Sequence, residues 1–372
     1  MIWAIVTIIL IVSVLVVVLY VHFFMKPVQP LPLGVEEYTI ALTKIGTMER
    51  ITSVVFHQVG VFTTSKTGVV SLSSSLRDDA ERHVIHSVSD ADPHFYDTHM
   101  EAGLMSIALH PDFSVNRRLY LSYTIKASAS GTYSVVNEYV LDPSLRSIAF
   151  VRTLFKLWHT TDYHHAGTLV FGRRGVKHHL YLSMGDGGPQ GDPEMHAQNP
   201  ASFRGKIIRF DVDGDEEPKI IALGLRNPWK ITIAPDGEML IGDVGLNKWE
   251  RIYRLNINSD TVPNYGWPLF EGIARRDSNA DQSQYVMPDF EYPVSNETGR
   301  ATVGGYRIAP SVYLIADWYG QIRIIKANEK GKLIQVGMAM SPDQNYTLAH
   351  DPHASIYYAM GLSQVSMIGI WA

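Results

Sequence analysis

Residues 163–188 read YHHAGTLVFGRRGVKHHLYLSMGDGG. Two runs in this stretch, TLVFGRR (168–174) and LYLS (180–183), are rich in β-branched, aliphatic and aromatic residues, and a basic, glycine-containing turn separates them. Such runs bounded by turn residues are typical of β-strands. The stretch therefore predicts a strand pair with two histidines before its first strand and an aspartate after its second.

The second strand of this pair recurs along the chain. Its copies are VFTT (61–64), LYLS (119–122), LYLS (180–183), MLIG (239–242), VYLI (312–315) and IYYA (356–359). Their second positions are 58, 61, 59, 73 and 44 residues apart. The upstream strand repeats too, as SIALHPD (106–112), TLVFGRR (168–174), ITIAPDG (231–237) and TLAHDPH (347–353).

A period of about 60 residues with several strands per unit is typical of propeller blades or of a β-solenoid. Six copies favour a closed ring over an open stack, because no copy is large enough to bury a core alone. A β-sandwich would require the likeness among the strands to be chance. We predict an all-β, six-bladed β-propeller over residues 38–372.

The N-terminal segment is apolar. Residues 2–24 contain no Asp, Glu, Lys or Arg, and as a helix they would measure about 34 Å, enough for a hydrocarbon core of about 30 Å. Trp3 and Tyr20 lie at its ends, where aromatic residues are enriched. The basic start and small-residue cleavage site of a removable signal peptide are missing. We expect a transmembrane signal anchor over residues 1–25 and a Pro-rich stalk over residues 26–37.

Composition excludes several classes of function. The chain has 32 Lys and Arg, 37 Asp and Glu, and no Cys. No basic run indicates a nucleic-acid partner, and no disulfide framework, thiolate metal site or cysteine nucleophile can form. No G-x-G-x-x-G opens a helix, and the G-x-S-x-G and H-E-x-x-H motifs are absent.

Three aspartates follow copies of the repeated strand: Asp186, Asp243 and Asp317. Equivalent strands of a propeller end on the same side of the disc, so we expect the three carboxylates on one face. An aspartate at a strand end usually closes a turn. Asp186 differs, because it lies among glycines and follows a strand that histidines precede.

Seven blocks, in order, resemble the glucose/sorbosone dehydrogenase family. The blocks are EAGLMSIALHPDFSVNRRLYLSYT (101–124), HHAGTLVFG (164–172), LYLSMGDGG (180–188), AQNPASFRGKIIRFDVDGD (197–215), ALGLRNPWKITIAPDG (222–237), IGDVGLNKWERI (241–252) and NYGWPLFEG (264–272). The resemblance implies a soluble-type quinoprotein on a six-bladed propeller. The same fold family includes a hedgehog-interacting-protein-like branch of binding proteins.

The resemblance also implies a mechanism, in which a sugar hydroxyl is oxidised by hydride transfer to pyrroloquinoline quinone. His164 would take the hydroxyl proton, Asp186 would orient His164, and Arg226 with Asn227 would lie beside the quinone. Neutral imidazole is a competent base near pH 7, and a guanidinium keeps its charge. His164 and His165 would point in opposite directions on an extended chain, and the family motif selects His164.

A calcium ion is a further implication of the resemblance. In the family it bridges the cofactor through backbone carbonyls of the loop that here reads DVGLN (243–247). Gly245 and Leu246 would supply those carbonyls, since carbonyl oxygens suit this hard cation.

The chain departs from the family where the quinone's three carboxylates would bind. Ala309 stands at an expected basic position, and Arg307 is the residue that would substitute for it. The segment ADWYGQI (316–322) replaces a basic one and includes an aspartate, and Glu101 stands where a glutamine can contact the cofactor. We therefore expect fewer cations around the cofactor than in the sugar-oxidising members.

From these features we expect a membrane-anchored quinoprotein dehydrogenase that oxidises a sugar-like hydroxyl or aldehyde, with the propeller on the exported side. One alternative is a non-catalytic propeller that binds a protein or glycan. A third is a metal-dependent lactonase-type hydrolase that uses the carboxylates of the face. The number of cationic side chains near the axial site discriminates between the first two.

Overall fold

The computed structural model describes residues 37–128, 131–295 and 300–371. The expected anchor, and the expected stalk apart from its last residue, lie outside the described residues. Within the described ranges, no helix is both long and apolar enough to cross a membrane. The helices found there are short: α1 (Val88–Ala91), α2 (Phe113–Asn116) and a 3-10 helix (Gln282–Gln284).

The described chain folds into six antiparallel sheets of four strands, which we call blades I to VI. Strand β1 (Thr39–Thr47) comes first in the chain and belongs to blade VI. Blade I consists of β2 (Ile51–His57), β3 (Gly60–Ser65), β4 (Val69–Ser73) and β5 (Arg82–Ser87). Blade II consists of β6 (Leu104–Leu109), β7 (Arg118–Ser128), β8 (Gly131–Leu141) and β9 (Ile148–His159). Blade III consists of β10 (Ala166–Arg174), β11 (Lys177–Met184), β12 (Lys206–Phe210) and β13 (Lys219–Leu223).

Blade IV is interrupted by an excursion that carries a small hairpin, β17–β18, before its last strand. Blade IV consists of β14 (Pro228–Ile233), β15 (Glu238–Asp243), β16 (Trp249–Asn256) and β19 (Phe290–Pro293), and the hairpin of β17 (Phe270–Glu271) and β18 (Ala274–Arg275). Blade V consists of β20 (Thr302–Ala309), β21 (Val312–Asp317), β22 (Gln321–Ala327) and β23 (Leu333–Met340). Blade VI consists of β24 (Asn345–Asp351), β25 (Ile356–Gly361), β26 (Gln364–Trp371) and β1.

The blades close into a ring. The first strand of each blade contacts the first strands of both neighbours, in the order β2, β6, β10, β14, β20, β24 and back to β2. Strand β1 pairs antiparallel with β26, from Thr39 opposite Trp371 to Thr47 opposite Gln364. The beginning and end of the described chain therefore share blade VI, and this pairing completes the ring.

A hydrophobic cluster fills each of the six gaps between neighbouring blades. Strand β7 shows how one strand serves two gaps. Leu119 and Leu121 pack against blade I, whereas Tyr120 packs against blade III. All three side chains are fully buried, which is why this strand, unlike a half-exposed one, is continuously hydrophobic.

The predicted six-bladed propeller is confirmed. Every copy of the repeated strand is the second strand of a blade, and every copy of the upstream repeat is a first strand. We call the face on which the second strands end the upper face. Asp186, Asp243 and Asp317 lie at that end of β11, β15 and β21 and are fully buried, as the repeat predicts.

Candidate functional site

A buried histidine–aspartate pair lies at the upper face of blade III. His164 precedes β10 and Asp186 follows β11, and antiparallel pairing brings these two strand ends together. The distance from His164 Nδ1 to Asp186 Oδ1 is 2.6 Å, and the two residues are 2% and 0% exposed. An ionised carboxylate only accepts hydrogen bonds, so the proton of this bond is on Nδ1. Nothing in the described part of the chain bonds His164 Nε2, which is therefore left as the free nitrogen.

Both carboxylate oxygens of Asp186 accept hydrogen bonds. Trp267 Nε1 donates to Oδ2 over 2.8 Å, and the Gly188 amide donates to Oδ1 over 2.9 Å. Burial opposes ionisation of Asp186, but His164, Arg226 and Gly188 outweigh it and hold the pKa of this carboxyl below its ordinary value. Asp186 is therefore a fixed anion that orients the imidazole.

Trp267 belongs to the excursion of blade IV and was not assigned a role from the sequence. The signal was its place in the block NYGWPLFEG (264–272), but nothing in that block identifies the partner of the indole N–H. The ring is 1% exposed, and a buried indole N–H requires an acceptor. Asp186 is that acceptor.

The two adjacent histidines have different partners, but not for the reason expected from an extended chain. His164 has a φ of 56°, in the left-handed region, so the backbone turns at this residue. Gly185 packs against the His164 backbone there, where a Cβ would clash with its carbonyl group. His165 instead hydrogen-bonds the Thr161 carbonyl over 2.9 Å and stacks on His159 with ring centroids 4.5 Å apart.

Arg226 lies next to the pair but is tied to its own surroundings. Its Nη1 donates to the Val244 carbonyl over 3.0 Å and its Nη2 to Gln190 Oε1 over 2.9 Å. The guanidinium carbon is 5.7 Å from the centroid of the Trp267 ring. Its Nε is buried and has no hydrogen-bond partner within the described residues. Arg226 therefore keeps one unused donor in an almost fully buried position.

Asp243 fixes the backbone on which Arg226 stands. Its carboxylate accepts from the amides of Arg226, at 3.1 Å, and Asn227, at 2.7 Å, and forms an ion pair with Arg251 of 2.6 Å. Arg251 is 1% exposed. Asp243 and Arg251 therefore have a structural role, in line with the expectation that an aspartate at a strand end closes a turn.

A cavity of about 220 Å³ lies near the pair, although neither His164 nor Asp186 is among its described lining residues. Its walls combine aromatic rings with a few polar groups, and its lining residues are Met100, Glu101, Asn227, Trp229, Val244, Arg300, Ala301, Thr302, Val303, Trp318, Tyr319 and Tyr346. These residues come from the upper ends of several blades and from the loops that join them. The cavity therefore lies above the central channel.

Glu101 connects the cavity to the histidine–aspartate pair. Its Oε2 accepts from the His164 amide over 2.7 Å and from Asn227 Nδ2 over 3.3 Å. Glu101 and Asn227 thus lie together in the cavity wall. Glu101 also holds the backbone of His164 in its turn.

Arg307 is not brought to this site, contrary to the expectation. It lies near the lower end of β20, where it pairs with Asp236 at 2.8 Å and Glu238 at 3.4 Å. Thr302, at the other end of β20, lines the cavity, and five residues of strand measure about 16 Å. Ala309 lies farther still from the upper face, so the side chain at that position does not decide the charge of the cavity.

Arg300 is the cation that the sequence reasoning missed. It lies two residues before β20, as His164 lies two residues before β10, and this position before a first strand was the available signal. Its guanidinium donates to the Tyr319 hydroxyl and lies 4.7 Å from the centroid of that ring. It is the only Lys or Arg among the described residues that line the cavity.

Asp317 does not present a free charge to the cavity. Its Oδ2 is 2.8 Å from Arg323 Nη1, and both side chains are buried. Burial raises the pKa of Asp317 to about 6 in spite of this pair. The expected repulsion between Asp317 and a bound carboxylate is therefore weakened, because Arg323 neutralises it.

The loop expected to bind calcium wraps around a glutamate. Glu271 Oε1 accepts from the amides of Leu246, Asn247 and Lys248 at 2.7–2.9 Å, while the Gly245 amide donates to Glu250. The carbonyl oxygens of Gly245 and Leu246 accept no hydrogen bond from the described residues. Those residues also contain no cluster of three His, Asp or Glu side chains able to hold a metal.

The cavity lining suits the flat ring system of a planar quinone better than it suits the negative charge of the quinone's carboxylates. Two tryptophans and two tyrosines supply flat apolar walls, and Arg300 is the cation of the described lining that can serve an acid group. The carbonyls of Gly245 and Leu246 suit Ca²⁺ chemically. Glu101 is the opposing charge, so a tri-anionic ring in this cavity would meet one arginine and one carboxylate among the described lining residues.

Comparisons with known proteins agree with this fold. The model of the family described as "Glucose / Sorbosone dehydrogenase" matches residues 52–345. The HIPL1 protein of Arabidopsis thaliana is 28% identical over 270 residues, which is 55% of this chain and 36% of that protein. Quinoprotein glucose dehydrogenase B of Acinetobacter calcoaceticus is 24% identical over 251 residues, 59% of this chain and 50% of that protein.

A solved structure of the PQQ-bound aldose sugar dehydrogenase from Streptomyces coelicolor superimposes with a TM-score of 0.71 at 16% identity, covering 92% of this chain and all of that one. The chain thus has the propeller fold of these dehydrogenases, and it belongs to the glucose/sorbosone dehydrogenase family. It spans about a third of the length of the Arabidopsis protein and half of the length of the Acinetobacter protein.

Proposed function

We propose that the protein is a quinone-dependent dehydrogenase of sugar-like substrates, with His164 as its proton acceptor. The observation that carries the proposal is the His164–Asp186 pair, closed at its far side by Trp267 and joined through Glu101 to an aromatic-walled cavity. Family membership supports the class of reaction.

The residues divide the chemistry between them. His164 Nε2 takes the hydroxyl proton as the carbon–hydrogen bond of the same centre breaks, and Asp186 stabilises the imidazolium that results. Arg226, buried next to Asp186 and behind the cavity wall, would stabilise by its charge any negative charge that forms in the cavity, since buried preorganised groups act strongly in a site of low dielectric. When bound, pyrroloquinoline quinone supplies the two-electron acceptor for the hydride.

Cofactor binding is assigned to the cavity wall and the neighbouring loop. Asn227 and Arg300 would hold the quinone from the cavity, with Arg226 behind the wall. The carbonyls of Gly245 and Leu246 would hold Ca²⁺. Arg307 has no part in this proposal, because its ion pairs place it near the lower end of blade V.

We also propose that residues 1–25 anchor the protein in a membrane and that the propeller lies on the exported side. The length and apolarity of this segment support the first part. In a protease-protection assay on sealed membrane vesicles of known orientation, the propeller should be digested from the exported side, and digestion only from the cytoplasmic side would reject the orientation.

A second function, binding of a protein or glycan without catalysis, is favoured by one observation. The cavity has a largely neutral, aromatic lining with a single arginine and a glutamate among its described residues. Aromatic walls also suit the apolar faces of sugar rings. The hydrolase alternative has no such support, because Asp186, Asp243 and Asp317 each have a different cationic or histidine partner.

Quinone titration of the purified protein, with and without Ca²⁺, decides between the first two functions. We expect Ca²⁺-dependent binding in the protein and in the variant His164→Ala, but sugar-dependent dye reduction only in the protein. His178→Ala, which removes an exposed histidine at the lower turn of blade III, is the matched control and should remain active. Absence of quinone binding at saturating Ca²⁺ would reject the dehydrogenase and leave the binding function.

A further inference from the structure

A lysine side chain crosses the central channel of the propeller. Lys230 is on β14, the first strand of blade IV, and is 8% exposed. Its Nζ donates to the carbonyl of Thr52 over 2.6 Å. Thr52 is on β2 of blade I, which lies opposite blade IV in a six-membered ring.

The surroundings leave space for this side chain and fix its acceptor. Gly304 has a φ of 71°, and a Cβ at this position would be 2.8 Å from the Cβ of Lys230. Thr52 is held by its own hydroxyl, which donates to the Leu104 carbonyl over 2.8 Å. Blade V, which is next to blade IV, and blade II, which is next to blade I, therefore both contribute to the position of the Lys230 amine.

A second buried lysine, Lys206, shows which hydrogen bonds Lys230 lacks. The Nζ of Lys206 donates to three carbonyls, those of His196, Ala197 and Arg204, at 2.6–2.9 Å. An ammonium group has three donors, so Lys206 is fully satisfied. Lys230 has one hydrogen bond within the described residues, and no carboxylate there pairs with it.

The charge on Lys230 is therefore uncompensated by the protein. Burial lowers the pKa of its amine to about 7. A buried ammonium without a counter-charge either loses its proton or acquires a partner. Which of these happens depends on what fills the adjacent space.

That space is a cavity of about 40 Å³. Lys230 lines it together with apolar residues and with five residues that carry hydroxyl groups, which are Ser53, Thr168, Thr232, Tyr306 and Thr347. Val303 lines both this cavity and the larger one, so the small cavity lies directly below the candidate active site. Its volume suits one or two water-sized particles and excludes a sugar or a quinone.

We propose that this inner cavity is a binding site for a small monovalent anion of the halide class, held by the two remaining N–H groups of Lys230. The site would be separate from the quinone and substrate positions. The bound anion would neutralise the ammonium group of Lys230, which lies beneath the floor of the larger cavity and at the centre of the ring of blades.

Crystals of the protein soaked in bromide test the proposal directly. We expect an anomalous peak within hydrogen-bond distance of Lys230 Nζ. In solution, replacing gluconate by about 0.2 M chloride at constant ionic strength should raise Tm by about 3 °C, because a ligand that binds only the folded state stabilises it.

The variant Lys230→Met should lose the chloride-dependent shift, whereas Lys206→Met should keep it whatever its own Tm. No bromide peak at Lys230, or a chloride shift that is equal in the protein and in Lys230→Met, would overturn the proposal. If Lys230→Met does not fold, the bromide soak of the unaltered protein still decides.

Discussion

The indole N–H of Trp267 donates a 2.8 Å hydrogen bond to Asp186 Oδ2, although the two residues are 81 positions apart in the chain. The other carboxylate oxygen faces His164. Two blades thus hold the aspartate from opposite sides, and the excursion of blade IV has a direct part in the geometry of the candidate base.

Trp267→Phe tests this relationship, because it keeps an aromatic ring and removes the donor. A buried carboxylate oxygen left without a partner costs about 1–3 kcal/mol. We expect that loss in the free energy of unfolding and a drop in kcat of roughly tenfold with little change in KM, since the orientation of His164 loosens. Urea unfolding and steady-state dye reduction measure the two effects.

Trp158→Phe, at a side chain that is 44% exposed, is the control and should change neither quantity. An unchanged kcat in Trp267→Phe would show that Asp186 orients His164 without the indole.

Glu101→Gln should strengthen the binding of an anionic quinone. The amide keeps an oxygen for the His164 amide and for Asn227 but removes the charge that opposes carboxylates. We expect Kd to fall several-fold, on the order of 1 kcal/mol at an effective dielectric constant of about 20 or more.

The measurement is a quinone titration at low and high salt, because the gain should shrink as salt screens the charges. Glu194→Gln removes an exposed carboxylate and should leave Kd unchanged. Weaker binding in Glu101→Gln would instead mean that the carboxylate contributes to the site.

Asp243→Asn should destabilise the fold strongly. It leaves the buried Arg251 guanidinium without its counter-charge, and such losses typically cost about 3–5 kcal/mol. Chemical denaturation should show this loss. Asp236→Asn breaks the surface pair with Arg307 and is the matched control, with an expected cost below about 1 kcal/mol. Equal losses in the two variants would contradict the structural role given to Asp243.

Stability should decrease in acid partly through His165. Burial lowers the pKa of this imidazole to about 4 in the folded protein, while an unfolded histidine has a pKa near about 6.5. Between these values the unfolded chain binds a proton that the folded chain does not, so stability is lost as pH falls from about 6.5 to about 4.

The variant His165→Phe should show a shallower loss over this window, by about 1–3 kcal/mol in total. Urea unfolding at intervals between pH 7.5 and pH 4, with His178→Phe as the exposed control, measures the difference. The stacked neighbour His159 also has a lowered pKa, so the acid sensitivity should be reduced in His165→Phe and not abolished. Parallel pH profiles in the variant and the protein would reject this account.

The sequence by itself determined the architecture and the centre of the site. Each second strand is buried between two blades, so the same kind of residues must recur at Tyr120, Tyr181 and Tyr313, and that recurrence gave the six blades. His164 and Asp186 were assigned from the family motif, and the local strand pair β10–β11 brings their positions together. Glu101 and Asn227 were also assigned from the family motif, and the structural role of Asp243 followed from its position at a strand end.

Only the tertiary structure decided what meets across blades. Arg307 was assigned to the wrong end of its strand, because residues on one face of a strand share a direction but not a height above the channel. Trp267, Arg300 and Lys230 meet their partners through ring closure, which joins residues far apart in sequence. A local pattern encodes which residues are buried, whereas the partner of a buried polar group depends on how the six sheets are packed around their axis.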